Sequence, residues 1–378
     1  MKPAKQPKPT FRSGNIVTTY NNGASTYTAM LKDIGNATAS VYIANFWSES
    51  GDAFAQLSKA LQAAARRKVS VYVLADHYGS RHVEDRHVVQ LQKAGVIWVW
   101  FRPFNRRRFW EYNRRLHKKL LLIDDKIGYT GGVGIADLWV QATHGYPRPW
   151  RDTHFRITGP VVGDMVKCFQ RTWQRWSEAS LPQPTAMIQR KPGFNSVSIA
   201  AVDSLPAQPI NPAGQLYIEL IVRARRSLTL TTAYFGPIRQ LRQALAEAAE
   251  RGVNVRILTN GPHSTHSYAV EAGRRWYGQL LQAGVVIYEY QPTKIHAKLV
   301  TIDHRITTIG SANLNFRSFR HDEEFNLVVN SVDLSKQIEQ SFETDLKQAQ
   351  RITLEDWQRR GRLAATRQYL ASFGRYFF

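Results

Sequence analysis

The sequence predicts an α/β protein made of two tandem copies of one unit, each a mixed sheet flanked by helices. Three observations carry that prediction: a short polar motif occurs twice, the repeat extends far beyond the motif, and each half alternates short apolar strands with amphipathic helices. The motif is His117, Lys119 and Asp124 in HKKLLLID and His296, Lys298 and Asp303 in HAKLVTID, with the spacing His-x-Lys-x4-Asp both times. The two histidines are 179 residues apart, the length of one domain.

The repeat can be followed element by element. Residues 40–43 (SVYI) and the following Asn45-Phe46-Trp47 match residues 227–230 (SLTL) and Ala233-Tyr234-Phe235. Residues 61–74 (LQAAARRKVSVYVL) match residues 245–258 (LAEAAERGVNVRIL), an amphipathic helix running into a strand. Ala-Gly-Val at 94–96 and at 283–285 then precedes an apolar strand that ends at Pro103 or Pro292. In each motif the apolar, partly β-branched run from Lys to Asp reads as a strand, so His and Lys, two residues apart, project from one face. A repeat of this extent points to duplication of one α/β unit, with helices packed over a largely parallel or mixed sheet.

Composition places the boundaries. Residues 1–13 are basic and proline-rich without an apolar stretch, so a disordered tail is expected there rather than a signal peptide or anchor. The first domain is placed at 14–180, a proline-rich linker at 181–213, the second domain at 214–350 and a C-terminal basic amphipathic helix at 351–378. Within the linker, residues 196–202 alternate well enough to be the first strand of the second half. No window approaches the ~18 consecutive apolar residues of a bilayer span. The one cysteine, Cys168, cannot form an internal disulfide, and its helical, apolar context suggests a buried thiol in a reducing compartment. The expected location is cytoplasmic, peripheral on the inner face of the cell membrane.

Charge narrows the partners. Lys and Arg number 51 against 29 Asp and Glu, a net charge of +22 that favours anionic surfaces. Basic residues crowd just ahead of the first motif, with Arg106, Arg107, Arg108 and Trp110 as candidate membrane contacts. Cations mixed with rings suit a lipid interface, and they suit stacking on single-stranded nucleic acid as well. The C-terminal stretch 357–378 favours lipid: it reads as a helix with arginines on one side and an aromatic end, Phe373, Tyr376, Phe377 and Phe378. An anionic phospholipid surface is therefore the expected partner, with nucleic acid ranked below it.

An imidazole beside an ammonium group on one strand face is equipment for holding a phosphate and attacking it. Gly131-Gly132 and Gly310-Ser311 follow the two motifs, and small residues there let backbone N–H groups approach an anion. His-x-Lys-x4-Asp followed by Gly-Gly or Gly-Ser and then Asn is the signature of the phospholipase D superfamily, which the chain resembles. Over residues 14–365 the resemblance is to bacterial cardiolipin synthases and related phosphatidyltransferases, carried by NRRLHKKLLLIDDKIGYTGGVGIADLW, WRDTHFRITGPVV and KIHAKLVTIDHRITTIGSANLNFRSF. The short form of these enzymes lacks paired N-terminal transmembrane helices.

The resemblance implies two phospholipase D-like α/β/α domains in a pseudo-twofold pseudodimer, with both motifs in one site that uses no metal and no cofactor. One histidine attacks phosphorus to form a phosphohistidine; the other protonates the leaving alcohol and then activates the incoming one. His117 is taken as the nucleophile and His296 as the acid and base. Lys119, Lys298, Ser311, Asn313, Gly131 and Gly132 are expected to hold the phosphate. By the same resemblance Asp152 and Glu324 orient the histidines. Asp124 and Asp303 belong to the motif and are expected to hold loops rather than touch substrate. The first copy departs from the signature, with Gly134 where Asn is expected, so one phosphate-binding amide is missing there. The implied reaction moves a phosphatidyl group to the hydroxyl of phosphatidylglycerol, with phosphatidylglycerol or phosphatidylethanolamine as donor. Hydrolysis to phosphatidic acid and nuclease chemistry stay open, as does a partner protein; a monomer is expected.

Overall fold

The computed structural model describes residues 9–182, 193, 195–207, 209–265 and 267–376, without the side chains of residues 108–110, 375 and 376. Fifteen strands are formed among them: β1 Phe11–Tyr20, β2 Ser40–Asn45, β3 Ser70–Asp76, β4 Ile97–Phe101, β5 Leu120–Ile123, β6 Ile127–Gly131, β7 His154–Thr158, β8 Val197–Ser204, β9 Ser227–Thr231, β10 Asn254–Asn260, β11 Val286–Tyr290, β12 Leu299–Ile302, β13 Ile306–Gly310, β14 Glu324–Asn330 and β15 Ala349–Ile352. They make one continuous sheet in the order β15-β11-β10-β9-β12-β13-β14-β8-β1-β7-β6-β5-β2-β3-β4.

That order is a palindrome about the β8/β1 pair. Reading outward, β1 matches β8, β7 matches β14, and β6, β5, β2, β3 and β4 match β13, β12, β9, β10 and β11, with β15 added on one edge. In each half the three outer strands of the repeat are parallel and the four inner ones antiparallel. The repeat seen in the sequence is thus a pseudo-twofold in space. The fold is the mixed α/β pseudodimer expected.

Local chemistry explains the elements. β2 (SVYIAN) is buried at every position, as a parallel strand covered on both faces must be. The helix Asp52–Arg66 turns Phe54, Leu57, Leu61 and Ala64 inward, and its counterpart Arg239–Glu250 does the same with Leu241, Ala244, Leu245 and Ala248. A central core joins the halves. Phe155 and Ile157 of β7, Phe325 and Leu327 of β14 and Ile199 of β8 pack with Met165, Phe169 and Trp173 of the helix Val162–Trp173. Cys168 lies in that core as a buried free thiol.

Some expected boundaries change. β1 begins at Phe11, inside the stretch read as a tail. Residues 181–213, read as a linker, include β8, which pairs with β14 from Ser198 to Ser204 and with the start of β1. Prolines flank β8 instead of interrupting it, because proline cannot donate to a ladder. Pro212 instead opens the helix Pro212–Arg223 behind an Asn211 cap. The stretch 351–378 is not one helix. After β15 come a short helix Leu354–Gln358, a break at Gly361, the helix Arg362–Ala371 and a 3-10 turn Ser372–Tyr376. Arg360 folds back onto the Trp357 carbonyl at 2.7 Å, and Trp357 is buried against Tyr277, so packing of that ring stops the helix early.

Candidate active site

The two motif strands, β5 and β12, run side by side with β2 and β9 in their own halves, and each histidine lies just before its strand. The chain ahead of each is anchored to the opposite half. His117 N–H donates to the Glu323 carbonyl at 2.9 Å, and His296 N–H to the Arg151 carbonyl at 2.7 Å. Asp76 Oδ2 accepts Leu116 N–H at 2.8 Å, and Asn260 Oδ1 accepts Ile295 N–H at 2.9 Å, so the ends of β3 and β10 hold the same positions in both copies.

Both histidines open into one cavity of about 440 Å³. Its walls include His117, Lys119, His296 and Asn313, with Phe46, Trp47, Trp139, Trp150 and Tyr234 as an aromatic lining. A polar arm is formed by Asn113, Arg115, Tyr78, Tyr112, Arg317 and Asp322.

Each histidine takes its carboxylate from the other half. His117 Nδ1 lies 2.9 and 3.0 Å from the two oxygens of Glu324, and His296 Nδ1 lies 2.9 Å from Asp152 Oδ2 and 3.0 Å from the Gly132 carbonyl. With Nδ1–H donated to the carboxylate, Nε2 carries the free lone pair. Glu324 also accepts the hydroxyls of Ser311 and Ser318, while Asp152 accepts the Trp139 indole N–H and Thr153 N–H, both at 2.8 Å. By the repeat, Trp139 stands where the second half has Ser318.

Burial controls the protonation states. It holds His117 below its ordinary pKa against the pull of Glu324, and holds His296 well below, aided by Lys298, Lys294 and Lys119. Both rings are therefore neutral near pH 7. Burial lowers Lys119 to about 8 and lowers Lys298 too, while it raises Asp152. Glu324 differs: burial opposes its ionisation, but His117 and the three hydrogen bonds outweigh this and leave its pKa lowered.

The motif aspartates hold loops, as expected, although they were counted with the catalytic motif, and several residues expected to hold phosphate do other work. Asp124 and Asp303 lie at the far ends of the motif strands. Asp124 accepts N–H groups of Thr38, Ala39 and Ser40, and Asp303 those of Arg225, Arg226 and Ser227. They anchor the chain entering β2 and β9 and are not catalytic groups. The Ser311 hydroxyl is spent on Glu324 and its N–H on the Phe325 carbonyl, so it positions the carboxylate rather than a phosphate. Gly132 N–H bonds the Thr153 carbonyl at 3.2 Å. A Cβ at Gly132 would stand 2.0 Å from Asp152 Oδ1, and one at Gly131 would stand 2.6 Å from the Thr153 carbonyl oxygen. These glycines admit the carboxylate and its strand; they are not a phosphate cradle. Lys119 and Lys298 each donate to the carbonyl of their own histidine, and both are buried beside the rings. Asn313 lines the cavity with its Oδ1 buried and unpartnered among the described residues.

Gly134 has a physical explanation. A side chain there would meet the Trp139 ring at 2.7 Å, so the indole occupies the room that Asn would need. Trp139, Trp150, Ser318, Arg115 and Lys294 were not picked out in the sequence as site residues. Arg115 and Lys294 share one offset, two residues before each histidine, and that repeat offset was the available signal.

Arg106 and Arg107 are exposed on a 3-10 turn, Arg106–Asn113, whose Tyr112 and Asn113 line the cavity mouth. Phe104, packed edge-on against Tyr112, is exposed beside them. The side chains of Arg108, Trp110 and Tyr376, and all of Phe377 and Phe378, lie outside the described residues. Phe373 is exposed. Among the described residues no helix is long and apolar enough to cross a membrane, and no group of three or more His, Cys, Asp or Glu could hold a metal ion.

The family model described as "Cardiolipin synthase, PLD-like domain" matches residues 30–138 and 217–346. Cardiolipin synthase A of Pseudomonas putida is 33% identical over 354 residues, covering 91% of this chain and 71% of that protein. The major cardiolipin synthase ClsA of Bacillus subtilis is 31% identical over 361 residues, covering 93% and 73%. Among solved structures, the phosphatidylserine synthase of Haemophilus influenzae superposes with a TM-score of 0.72 at 17% identity over 95% of this chain and 92% of that one, which shows a shared fold. The duplicated domain, the two motifs meeting in one cavity and this identity over nine-tenths of the chain have one meaning: the chain belongs to the cardiolipin synthase family of phospholipase D-like proteins.

Proposed function

We propose that the protein is a phosphatidyltransferase that joins two phospholipids, a cardiolipin synthase with phosphatidylglycerol as acceptor. The observation that carries this reading is the shared cavity, in which each histidine is oriented by a carboxylate from the opposite half. Such an arrangement suits double displacement at phosphorus, since two Nε2 atoms in one cavity can act on one substrate.

In the first step His117 Nε2 attacks the donor phosphorus, the bond from phosphorus to the headgroup oxygen breaks, and His296, neutral in the free protein and taking up a proton from solvent as the anionic donor binds, gives that oxygen its proton. In the second, the acceptor hydroxyl yields its proton to His296, its oxygen attacks phosphorus, and the P–N bond to His117 breaks. Lys119 and Lys298 neutralise the nonbridging oxygens and the charge spread over them in both transition states. His117 is assigned as nucleophile because the ionised Glu324 makes its ring electron-rich. Its alcohol acceptor is phosphatidylglycerol, and donors are phosphatidylglycerol or phosphatidylethanolamine; water in the acceptor's place gives phosphatidic acid. The exposed Arg106 and Arg107, on the turn that carries the cavity-lining Tyr112 and Asn113, and Phe104 packed against Tyr112 support approach to an anionic bilayer from its surface.

The test is incubation of the purified protein with labelled phosphatidylglycerol vesicles, alone and with phosphatidylethanolamine, followed by product masses. Cardiolipin is expected, with the released headgroup naming the donor. Phosphatidic acid alone makes the protein a hydrolase, and no lipid product overturns the reading.

A further inference from the structure

The cavity is not symmetric about the pseudo-twofold. Arg115 and Lys294 occupy the same place in the two copies, two residues before each histidine, and both line the wall. Lys294 is fully engaged: its Nζ donates to Tyr234 Oη at 2.7 Å and Thr265 Oγ1 at 2.6 Å, and it sits 4.0 Å from the centre of the Trp150 ring. Arg115 is held differently. Its guanidinium lies 4.5 Å from the Tyr78 ring centre and 4.1 Å from that of Tyr112, and the residue is only 6% exposed. Its Nη1 is buried with no hydrogen-bond partner among the described residues.

Two carboxylates stand near it, and both are committed elsewhere. Asp76 accepts backbone N–H groups of Tyr78, Gly79 and Leu116. Asp322 accepts Arg317 at 2.7 and 3.2 Å and the backbone N–H of Arg115 itself. They balance the Arg115 charge without occupying its Nη1. A ring-clamped guanidinium in the wall of a cavity, with one nitrogen left without an acceptor among the described residues, is built to receive an oxyanion.

We propose that Arg115 binds the phosphodiester of the acceptor lipid, so that the enzyme selects an alcohol carrying its own phosphate a glycerol's length from the reacting hydroxyl. This rests on the transferase reading above. Arg115 and His117 are two residues apart in the chain and line one cavity, so the two phosphates of a glycerol-bridged headgroup can sit at the two side chains. The reacting phosphate at the histidines and the acceptor phosphate at Arg115 then mark the two ends of the product headgroup. Lys294, already satisfied, leaves the opposite end of the cavity to a headgroup without an anion.

Arg115→Gln tests this in two measurements. The first is calorimetric binding of glycerol 1,3-bisphosphate and of inorganic phosphate, which needs no turnover. The substitution is expected to weaken the bisphosphate at least about tenfold, the worth of a charged hydrogen bond, and to leave inorganic phosphate within about twofold. Equal losses for both probes, or no loss for either, overturn the proposal. The second is the ratio of cardiolipin to phosphatidic acid formed from phosphatidylglycerol. That ratio is expected to fall about tenfold, and Arg115→Lys is expected to recover part of it; an unchanged ratio overturns the subsite. Wild-type protein that makes no cardiolipin defeats the transferase reading alone, since the bisphosphate comparison still decides the subsite.

Discussion

His117 and Glu324, 207 residues apart in the chain, share a hydrogen bond in which both carboxylate oxygens lie within 3.0 Å of Nδ1. Glu324 follows the bridge between Leu116 and Glu323, so the same backbone contact that docks the two halves sets this distance. Association of the halves and assembly of the catalytic pair are one event.

Replacing Glu324 by Gln keeps the volume and removes the anion. Turnover is expected to fall about 10²-fold with the thermal midpoint nearly unchanged. The sign of the pH effect follows from the working form of His117, the neutral ring. Activity is lost as pH falls through the His117 pKa, and without Glu324 that pKa drops further, so the acid limb of the rate profile moves to lower pH. A limb that stays in place or moves up in pH contradicts the assignment.

Restoring the family asparagine by Gly134→Asn is expected to harm the protein. The new side chain meets Trp139, whose indole holds Asp152 at 2.8 Å, so the His296 support is disturbed. The expected result is at least a tenfold loss of turnover or a stability loss of roughly 1–3 kcal/mol from overpacking. A gain in activity would show that Gly134 is a defect of the first copy.

Asp124→Ala separates the motif aspartate from catalysis. Four hydrogen bonds at the entrance to β2 disappear, at a cost of about 2 kcal/mol, while kcat of the folded enzyme is expected to stay unchanged. Burial raises the Asp124 pKa, but these bonds outweigh it and hold it lowered. Its contribution is therefore complete above the ordinary carboxylate value near ~3.9 and is lost as pH falls through the lower folded value. Urea melts of the two proteins are expected to converge in that acid range.

Lys118 points away from the cavity, fully buried, with Nζ 2.6 Å from Asp203 and 2.9 Å from Thr172 Oγ1. Lys118→Met removes the buried cation beside Asp203 and leaves it with Arg171 and Cys168. A loss of about 3 kcal/mol is expected by denaturant unfolding. Little or no loss would mean that the pair adds no stability.

The helix Arg362–Ala371 and the turn after it expose Leu363, Leu370 and Phe373. Changing Leu370 and Phe373 to Ser is expected to weaken sedimentation with anionic vesicles several-fold, in line with the lost apolar area. Hydrolysis of a soluble phosphodiester is the control and is expected to hold. Loss of both together would assign this helix to folding.

Periodicity and repetition made the architecture legible: two copies of an α/β unit, the faces of the helices at 52–66 and 239–250, and the polar face shared by each His and Lys. Those signals are local, arising from side-chain spacing of two or of about 3.6 along the chain. Repetition of the motif marked His117 and His296, and the resemblance to a known superfamily added Asp152 and Glu324. What no local pattern holds is which carboxylate serves which histidine, because the crossing of Glu324 to His117 and Asp152 to His296 exists only once the halves dock. The same applies to Gly132 and Ser311. Their small size reads as room for a phosphate, but tertiary packing gives that room to Asp152 and gives the serine hydroxyl to Glu324. Tertiary structure alone also decided that one Arg115 nitrogen has no hydrogen-bond partner among the described residues while the Lys294 nitrogen has two, since Tyr234 and Thr265 reach the lysine from elements distant in sequence. Sequence fixes the inventory of charges and hydroxyls; packing decides which of them are already spoken for, and so which remain for substrate.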